Sequence, residues 1–528
     1  MATTDEETRT GEERIVRFFE RLMELRPVEA SYHGLHQHDR RLPDGSLSGV
    51  QELISLVRAF ESELERLGGD VEADLARYWT GLTRFQLEVQ RLWARRPEAV
   101  DQIGTGIFLL FVRDYAPLEV RLEAIASRLE AVPAYLAASR EQLQEPVRLW
   151  VQVGLESARR LPELFASVVR SAPAGALQRR LTSAAGAAGE AVEDFCRWLE
   201  GDVLPRSVEG GALGEEGFAE LLDLRQLPDP PDRILALGRR YLTEFEEERA
   251  ALMARHWPGR TLEEVDELVR ARRPSTVEAA LAAYGEAIAA ARSFVEQRGL
   301  ATLPPGEELL VEATPSFLQP VIPFAAYEPP ARFDAHQLGI YMVTPGEDGL
   351  GGHDHASVLN TSVHEGYPGH HLQFACANQH PSLARLLSAD YAVEMVEGWA
   401  HYCEELMYEE GFMSGPEVRF VQLNGLIWRA CRVVIDVELS CGRMGFPEAV
   451  DMLTSRAAMP RPGAEAEVRR YTYTPGYQLS YLYGKHLLLA LRERRRRVEG
   501  DRFQLRRFHD RLLYAGAVPA AMWDSLFD

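Results

Sequence analysis

At 528 residues, with 46% hydrophobic and 26% charged side chains, the chain is ordinary globular material, long enough for two to four cores or one large helical architecture. A net charge of −22 argues against nucleic acid and anionic membrane surfaces as partners, since both are gripped by basic patches. Five scattered cysteines with no Cys-x-x-Cys pair, a polar acidic start and no apolar run of spanning length point to a soluble cytoplasmic protein with reduced thiols.

From the start to about residue 300 the pattern is amphipathic helix. Ile15, Phe18, Phe19, Leu22 and Leu25 keep a helical period, as do Leu53, Val57, Phe60 and Leu64. The stretches near 72–96, 118–140, 174–200, 230–256 and 275–298 read the same way, with breaks at Leu204-Pro205, Leu227-Pro-Asp-Pro-Pro231 and Leu303-Pro-Pro305. His33, His36 and His38 cluster early and read as structural. Between about 305 and 346 two strands are expected, Leu309 to Thr314 and Gln337 to Thr344. The second is either a buried strand or an edge that pairs with an extended substrate through its main chain. Gly346 to Gly352 lacks the lysine of a phosphate loop and reads as a mobile loop at a cleft rim. His353 and His355, just beyond it, read as substrate or surface histidines, with extra metal ligands as the alternative. From Ser357 onward the chain is helical again, and Arg494 to Arg497 close an apolar helix where cations suit the negative end of its dipole. Lys485 is the only lysine, which reflects composition bias. The expected division is a helical region, 1–300, forming one wall of a cleft, and a catalytic region, 301–528.

The chemistry concentrates in Val363-His-Glu-Gly-Tyr-Pro-Gly-His-His-Leu-Gln373 and Glu394-Met-Val-Glu-Gly-Trp-Ala-His-Tyr-Cys-Glu404. Imidazole and carboxylate are what a catalytic zinc takes, usually three from protein, and a glutamate beside the first histidine is where metalloproteases keep a general base. In His-Glu-x-x-His the two histidines share one helical face, but here Pro368 stands at i+4 from His364. On an unbroken helix His370 would point roughly 120° away, and His371 would lie about 10.5 Å further along. Pro368 cannot donate an N–H, and its ring clashes with the His364 carbonyl; Gly366 and Gly369 weaken the same turn. A break between two helical pieces is therefore expected, with His370 moved into the i+4 place. His371 remains the other candidate, and whichever is not a ligand should meet substrate or a carboxylate.

In the second segment Glu394, Glu397, His401 and Glu404 or Glu405 form one helical stripe beside Trp399, Ala400, Tyr402 and Leu406, which look built for burial. Buried carboxylates are costly unless a cation faces them, and a metal supplies one. Glu397 is the expected third ligand, with His401 and Glu404 orienting the ligands; the alternative is a solvated face of paired charges. In Arg470-Tyr-Thr-Tyr-Thr-Pro-Gly-Tyr-Gln-Leu-Ser-Tyr481 a hydroxyl or guanidinium can steady an oxyanion, at about 3 kcal/mol per donor. Tyr481, Tyr473 and Arg470 are the candidates, against tyrosines simply packed between helices.

His-Glu-Gly-Tyr-Pro-Gly-His-His-Leu-Gln, Glu-Gly-Trp-Ala-His-Tyr-Cys-Glu-Glu-Leu, the tyrosine segment through Lys485 and the early Val28 to Asp44 resemble the bacterial domain-of-unknown-function family 885 along nearly the whole chain. The resemblance implies a zincin-like, gluzincin-type architecture, mainly α with a small β element near the metal helix, and a metallopeptidase activity. It favours Tyr481, which matches the family tyrosine shortly before Gly484. In a further family helix Asp436 is present, but Ser440 stands where a histidine is usual.

The expected function is a zinc peptidase for short peptides. One zinc ion is held by His364, His370 and Glu397, with Glu365 as general base and Tyr481 at the oxyanion. The alternatives are a metal-dependent amidohydrolase of non-peptide amides and a helical metal-binding scaffold without turnover. Glu365 argues against the scaffold, since a structural site needs no base.

Overall fold

Helical periodicity dominates the sequence, and the computed structural model follows it: 70% of the chain is helical and 4% is strand, so helices alone carry the candidate ligands. It describes residues 2–67, 69–314, 325–344, 350 and 352–527, with side chains from residue 11 onward. Of the glycine-bearing stretch Gly346 to Gly352, only Leu350 and Gly352 fall within the described residues. Among the described residues no helix is long and apolar enough to cross a membrane.

The chain divides into two units, one of Met1–Gly211 with Ala331–His336, the other of Ala212–Pro330 with Gln337–Asp528. In the first, the helix Ala176–Trp198 packs along Leu118–Ser139 and Leu161–Ser171. The stretch expected to be helical over 72–96 is interrupted: Val71–Phe85 gives way to a wider turn, and Arg91 adopts φ 49° before a short helix, Leu92–Arg95. The inserted segment 331–336 is tied down by the Phe333 N–H on the His33 carbonyl (2.9 Å). His36 adds a bridge, with its Nδ1 2.9 Å from Asp39 and its Nε2 2.9 Å from Asp334.

In the second unit Pro231–His256 packs along Pro416–Ser440, and Val393–Glu409 packs along Ser480–Glu499. The latter pair touches backbone to backbone, for a Cβ on Gly398 would stand 2.6 Å from Gly484 main-chain atoms. Three strands form the only sheet among the described residues, β1 (Glu307–Ala313), β2 (Ala325–Glu328) and β3 (Gln337–Val343), in the order β1-β3-β2. β3 runs parallel to β1 and antiparallel to β2, and its buried run from Gly339 to Val343 fits a central position. Main-chain pairing on both sides over Ile340–Val343 leaves that stretch no free edge, which corrects the substrate-pairing role considered for it; it is a buried strand. β2 reads Ala-Ala-Tyr-Glu, too short and too alanine-rich to announce itself.

Candidate metal centre

The helix carrying His364 runs His355–Glu365 and is capped by Asp354, whose carboxylate accepts the N–H groups of Ala356 and Ser357 at 3.0 Å each. It ends where glycine and proline stop it. The Gly366 N–H still reaches the Ser362 carbonyl (3.0 Å), the chain loops out through Tyr367 and Pro368, and Gly369 returns with its N–H on the Val363 carbonyl (3.1 Å). A Cβ on Gly369 would overlap the His364 carbonyl oxygen, so only glycine fits there. The next helix, His370–Ala377, starts at once, and the His370 ring stands 4.9 Å from that of His364, centroid to centroid. The acidic helix Val393–Glu409 is fixed to this loop: Trp399 Nε1 donates to the Pro368 carbonyl (2.8 Å), and Gln373 Nε2 to the Met395 carbonyl (2.9 Å).

This folding brings His364, His370 and Glu397 together. All three are buried, and one donor atom of each lies within 4.8 Å of the others. His370 Nε2 is 3.4 Å from Glu397 Oε2. Two ligands at ordinary zinc distances on a tetrahedral ion stand about 3.3 Å apart, so the spacing fits such an ion. His364 Nδ1 is 2.7 Å from Glu404 Oε1; a proton on that nitrogen leaves the Nε2 lone pair for a metal, the arrangement in which a carboxylate orients a ligating imidazole. Tyr477 donates its hydroxyl to Glu397 Oε1 in the same way.

Positive charge around the site keeps its carboxylates ionised despite burial. Burial alone would raise the Glu397 carboxyl, yet His370, His364 and the Tyr477 hydroxyl hold it down at about 2. Burial likewise opposes Glu404, but His401 and the hydrogen bond to His364 keep it well below the usual carboxylate range. The positive charge opposite them comes from His370 and His364 at Glu397 and includes the Arg429 guanidinium at Glu404; a divalent ion held by His364, His370 and Glu397 would supply it in the place of protons on those histidines. The donor set therefore suits a divalent ion taking nitrogen and oxygen ligands.

The other sequence candidates fall at varied places. Glu365 follows His364 and is half-buried; its carboxylate has no hydrogen-bond or ion-pair partner among the described residues, and its charge is felt at His370. His371 is fully buried and turned to the sheet, with Nε2 2.9 Å from Glu307 on β1 and Nδ1 3.2 Å from the Tyr327 hydroxyl on β2. His401 sits 3.4 Å from Glu404 without hydrogen-bond geometry; burial pulls its pKa down, to about 4, against the opposing pull of Glu404. Glu394 is not part of the three-residue cluster and pairs with Arg225. Tyr481 stacks parallel to His364 at 6.4 Å, with the Arg432 guanidinium 4.0 Å over its ring. Arg470 is paired with Glu467 (2.9 Å), and Tyr473 lies in the turn just after, its N–H on the Arg470 carbonyl (3.3 Å). His353 is buried between the Tyr284 hydroxyl and the Thr344 carbonyl, at 3.0 Å each, while His355 is exposed.

Three contributions escaped the reading of the sequence, although Asp436 itself was noted there. Tyr477 touches the candidate ligand Glu397, and its only signal is a place four residues before Tyr481. Glu307 gathers His371, Tyr367 and Arg292 around one carboxylate, a convergence that local sequence does not reveal. Asp436 takes the N–H groups of Gly476 and Leu479 at 2.8 Å each and so fixes the turn that presents both tyrosines.

A mainly helical chain with a histidine–carboxylate cluster under a proline-broken turn is thus the class that fold and site define. Residues 27–525 match the family described as "Bacterial protein of unknown function (DUF885)", and the chain belongs to that family. No curated protein matches the sequence. A candidate lipoprotein of unknown function from Shewanella oneidensis shares the fold, at 21% identity and TM-score 0.78, over 97% of this chain and 98% of that one. A candidate lipoprotein from Colwellia psychrerythraea does so at 20% identity and TM-score 0.84, over 98% and 97%.

Proposed function

We propose that this protein is a zinc-dependent hydrolase of peptide bonds, acting on short peptides, with zincin-like chemistry on a helical frame. The observation that carries the reading is the convergence of His364, His370 and Glu397 next to an unengaged Glu365. In this reading His370 and not His371 is the second histidine ligand, because both nitrogens of His371 already face Glu307 and Tyr327. Zinc, when bound, supplies the charge that makes water nucleophilic near neutral pH and polarises the scissile carbonyl. Glu365 takes the proton of the attacking water and hands it to the leaving amine. Glu404 keeps His364 in its ligating orientation, and Tyr477 does the same for Glu397. Tyr481, held against Arg432, offers its hydroxyl to the oxyanion. A cytoplasmic location belongs to the proposal and is supported by five buried cysteines, all free.

The test is metal content and peptide hydrolysis of Glu365→Gln beside the parent. The variant is expected to keep one zinc per chain while turnover drops by about 100-fold or more. Unchanged turnover would remove Glu365 from the chemistry. A substrate panel of dipeptides, longer peptides and N-acylated amino acids separates peptidase from general amidohydrolase.

A further inference from the structure

Arg429 is a guanidinium without a hydrogen bond among the described residues. It stands in the helix Pro416–Ser440 with only 15% of its side chain exposed, and its Nε is buried and unpartnered. Its nearest carboxylate, Glu404, is 4.0 Å from Nη2, too far for a hydrogen bond, and the facing oxygen Oε1 is the one that His364 occupies at 2.7 Å. What holds Arg429 is aromatic surface: its guanidinium carbon lies 4.9 Å from the Trp428 ring centre and 5.8 Å from that of Tyr481. Stacking fixes the plane of the fork and leaves its five N–H donors unused.

The two neighbouring arginines differ. Arg432 donates to Gln478, and Arg470 donates to Glu467. Arg429 alone of the three makes no hydrogen bond among the described residues, its one ion pair being the 4.0 Å approach to Glu404, and it sits at the wall of the centre, since Tyr481 stacks on His364. A planar fork against aromatic rings, mostly desolvated and without hydrogen bonds, is the arrangement that receives a carboxylate in two parallel hydrogen bonds.

We propose that Arg429 binds a carboxylate of the substrate beside the scissile bond. This rests on the peptidase reading and narrows it: the substrate class is peptides bearing an anion close to the bond that is cut. The carboxylate comes either from a free C-terminus, as in dipeptides or removal of a terminal residue, or from an aspartate or glutamate side chain.

The experiment compares matched peptides with a free C-terminus, an amidated C-terminus, and an amidated C-terminus with glutamate at the same place, using the parent, Arg429→Ala and Arg429→Lys. The parent is expected to favour a carboxylate-bearing peptide over the plain amide by about 10- to 100-fold in kcat/KM, with the difference mainly in KM. Arg429→Ala should lose that preference, its kcat/KM ratio between carboxylate-bearing peptide and plain amide falling towards one, and Arg429→Lys should restore part of it. Preference for the free acid assigns the terminal carboxylate; equal preference for the glutamate amide assigns the side chain. A parent that cleaves all three alike, or an Arg429→Ala protein that slows equally on all three, overturns the proposal and leaves the peptidase reading standing. A parent that cleaves none of them nor any longer peptide overturns the peptidase reading itself.

Discussion

Glu397 is a carboxylate in a dry interior, and each of its oxygens has a defined neighbour: Tyr477 on one, His370 on the other. Removing the phenol should loosen the carboxylate without emptying the site. Tyr477→Phe is therefore expected to weaken zinc binding about 10- to 100-fold in competition with a chromophoric chelator, because partners of metal ligands are worth that much. Affinity equal to the parent would show that the hydroxyl does not act through the metal. The residues that converge were legible because histidine and glutamate are uncommon in otherwise apolar helical stretches. Tyr477 was not, since a tyrosine among tyrosines carries no mark of which one meets a ligand. His36 allows a second prediction. Although burial opposes its charge, the hydrogen bonds and charges of Asp334 and Asp39 carry its pKa up to about 9. A raised histidine stabilises the fold fully below its unfolded value near 6.5, and the contribution fades as pH climbs through 9. With 29% of the side chain still exposed, we expect about 1–3 kcal/mol. In urea unfolding, His36→Asn should cost that much at pH 6 and much less at pH 10. A cost that does not change with pH would contradict the charged bridge.

At the level of elements, the acidic helix and the tyrosine helix Ser480–Glu499 meet through glycine. A Cβ on Gly484 would overlap the Glu394 carbonyl oxygen, and neither backbone can withdraw without moving Glu397 or Tyr481. Gly484→Ala is expected to destabilise by about 1–3 kcal/mol and to lower zinc affinity with it. By contrast, Gly186 lies exposed within the helix Ala176–Trp198, with open space where a Cβ would go. There alanine should stabilise by roughly 0.5–1 kcal/mol, since it removes only freedom from the unfolded chain. Equal effects in chemical denaturation at the two positions would refute the packing argument. Most helices announced themselves by their apolar period. The interruption at Arg91 and the short strand β2 did not, because a single left-handed residue and an Ala-Ala pair leave no periodic trace.

Across the whole molecule, the proline-broken turn was legible as a break, because Pro368 and two glycines cannot continue a helix. What no local pattern supplied was the set of long-range ties that turn the break into a site. Trp399 on the Pro368 carbonyl, Glu307 on His371 and Asp436 on the tyrosine turn each join residues between 31 and 64 positions apart. The site is thus a product of packing among helices, and the zinc proposed for it should raise stability when added and lower it when chelated, because an ion that binds only the folded chain stabilises it by mass action. The most direct measurement is anomalous diffraction at the zinc edge from crystals grown with zinc. The account predicts one strong peak about 2.0–2.2 Å from His364, His370 and Glu397, with none at His371. A map without a peak there, or with the ion held by His371, would contradict it.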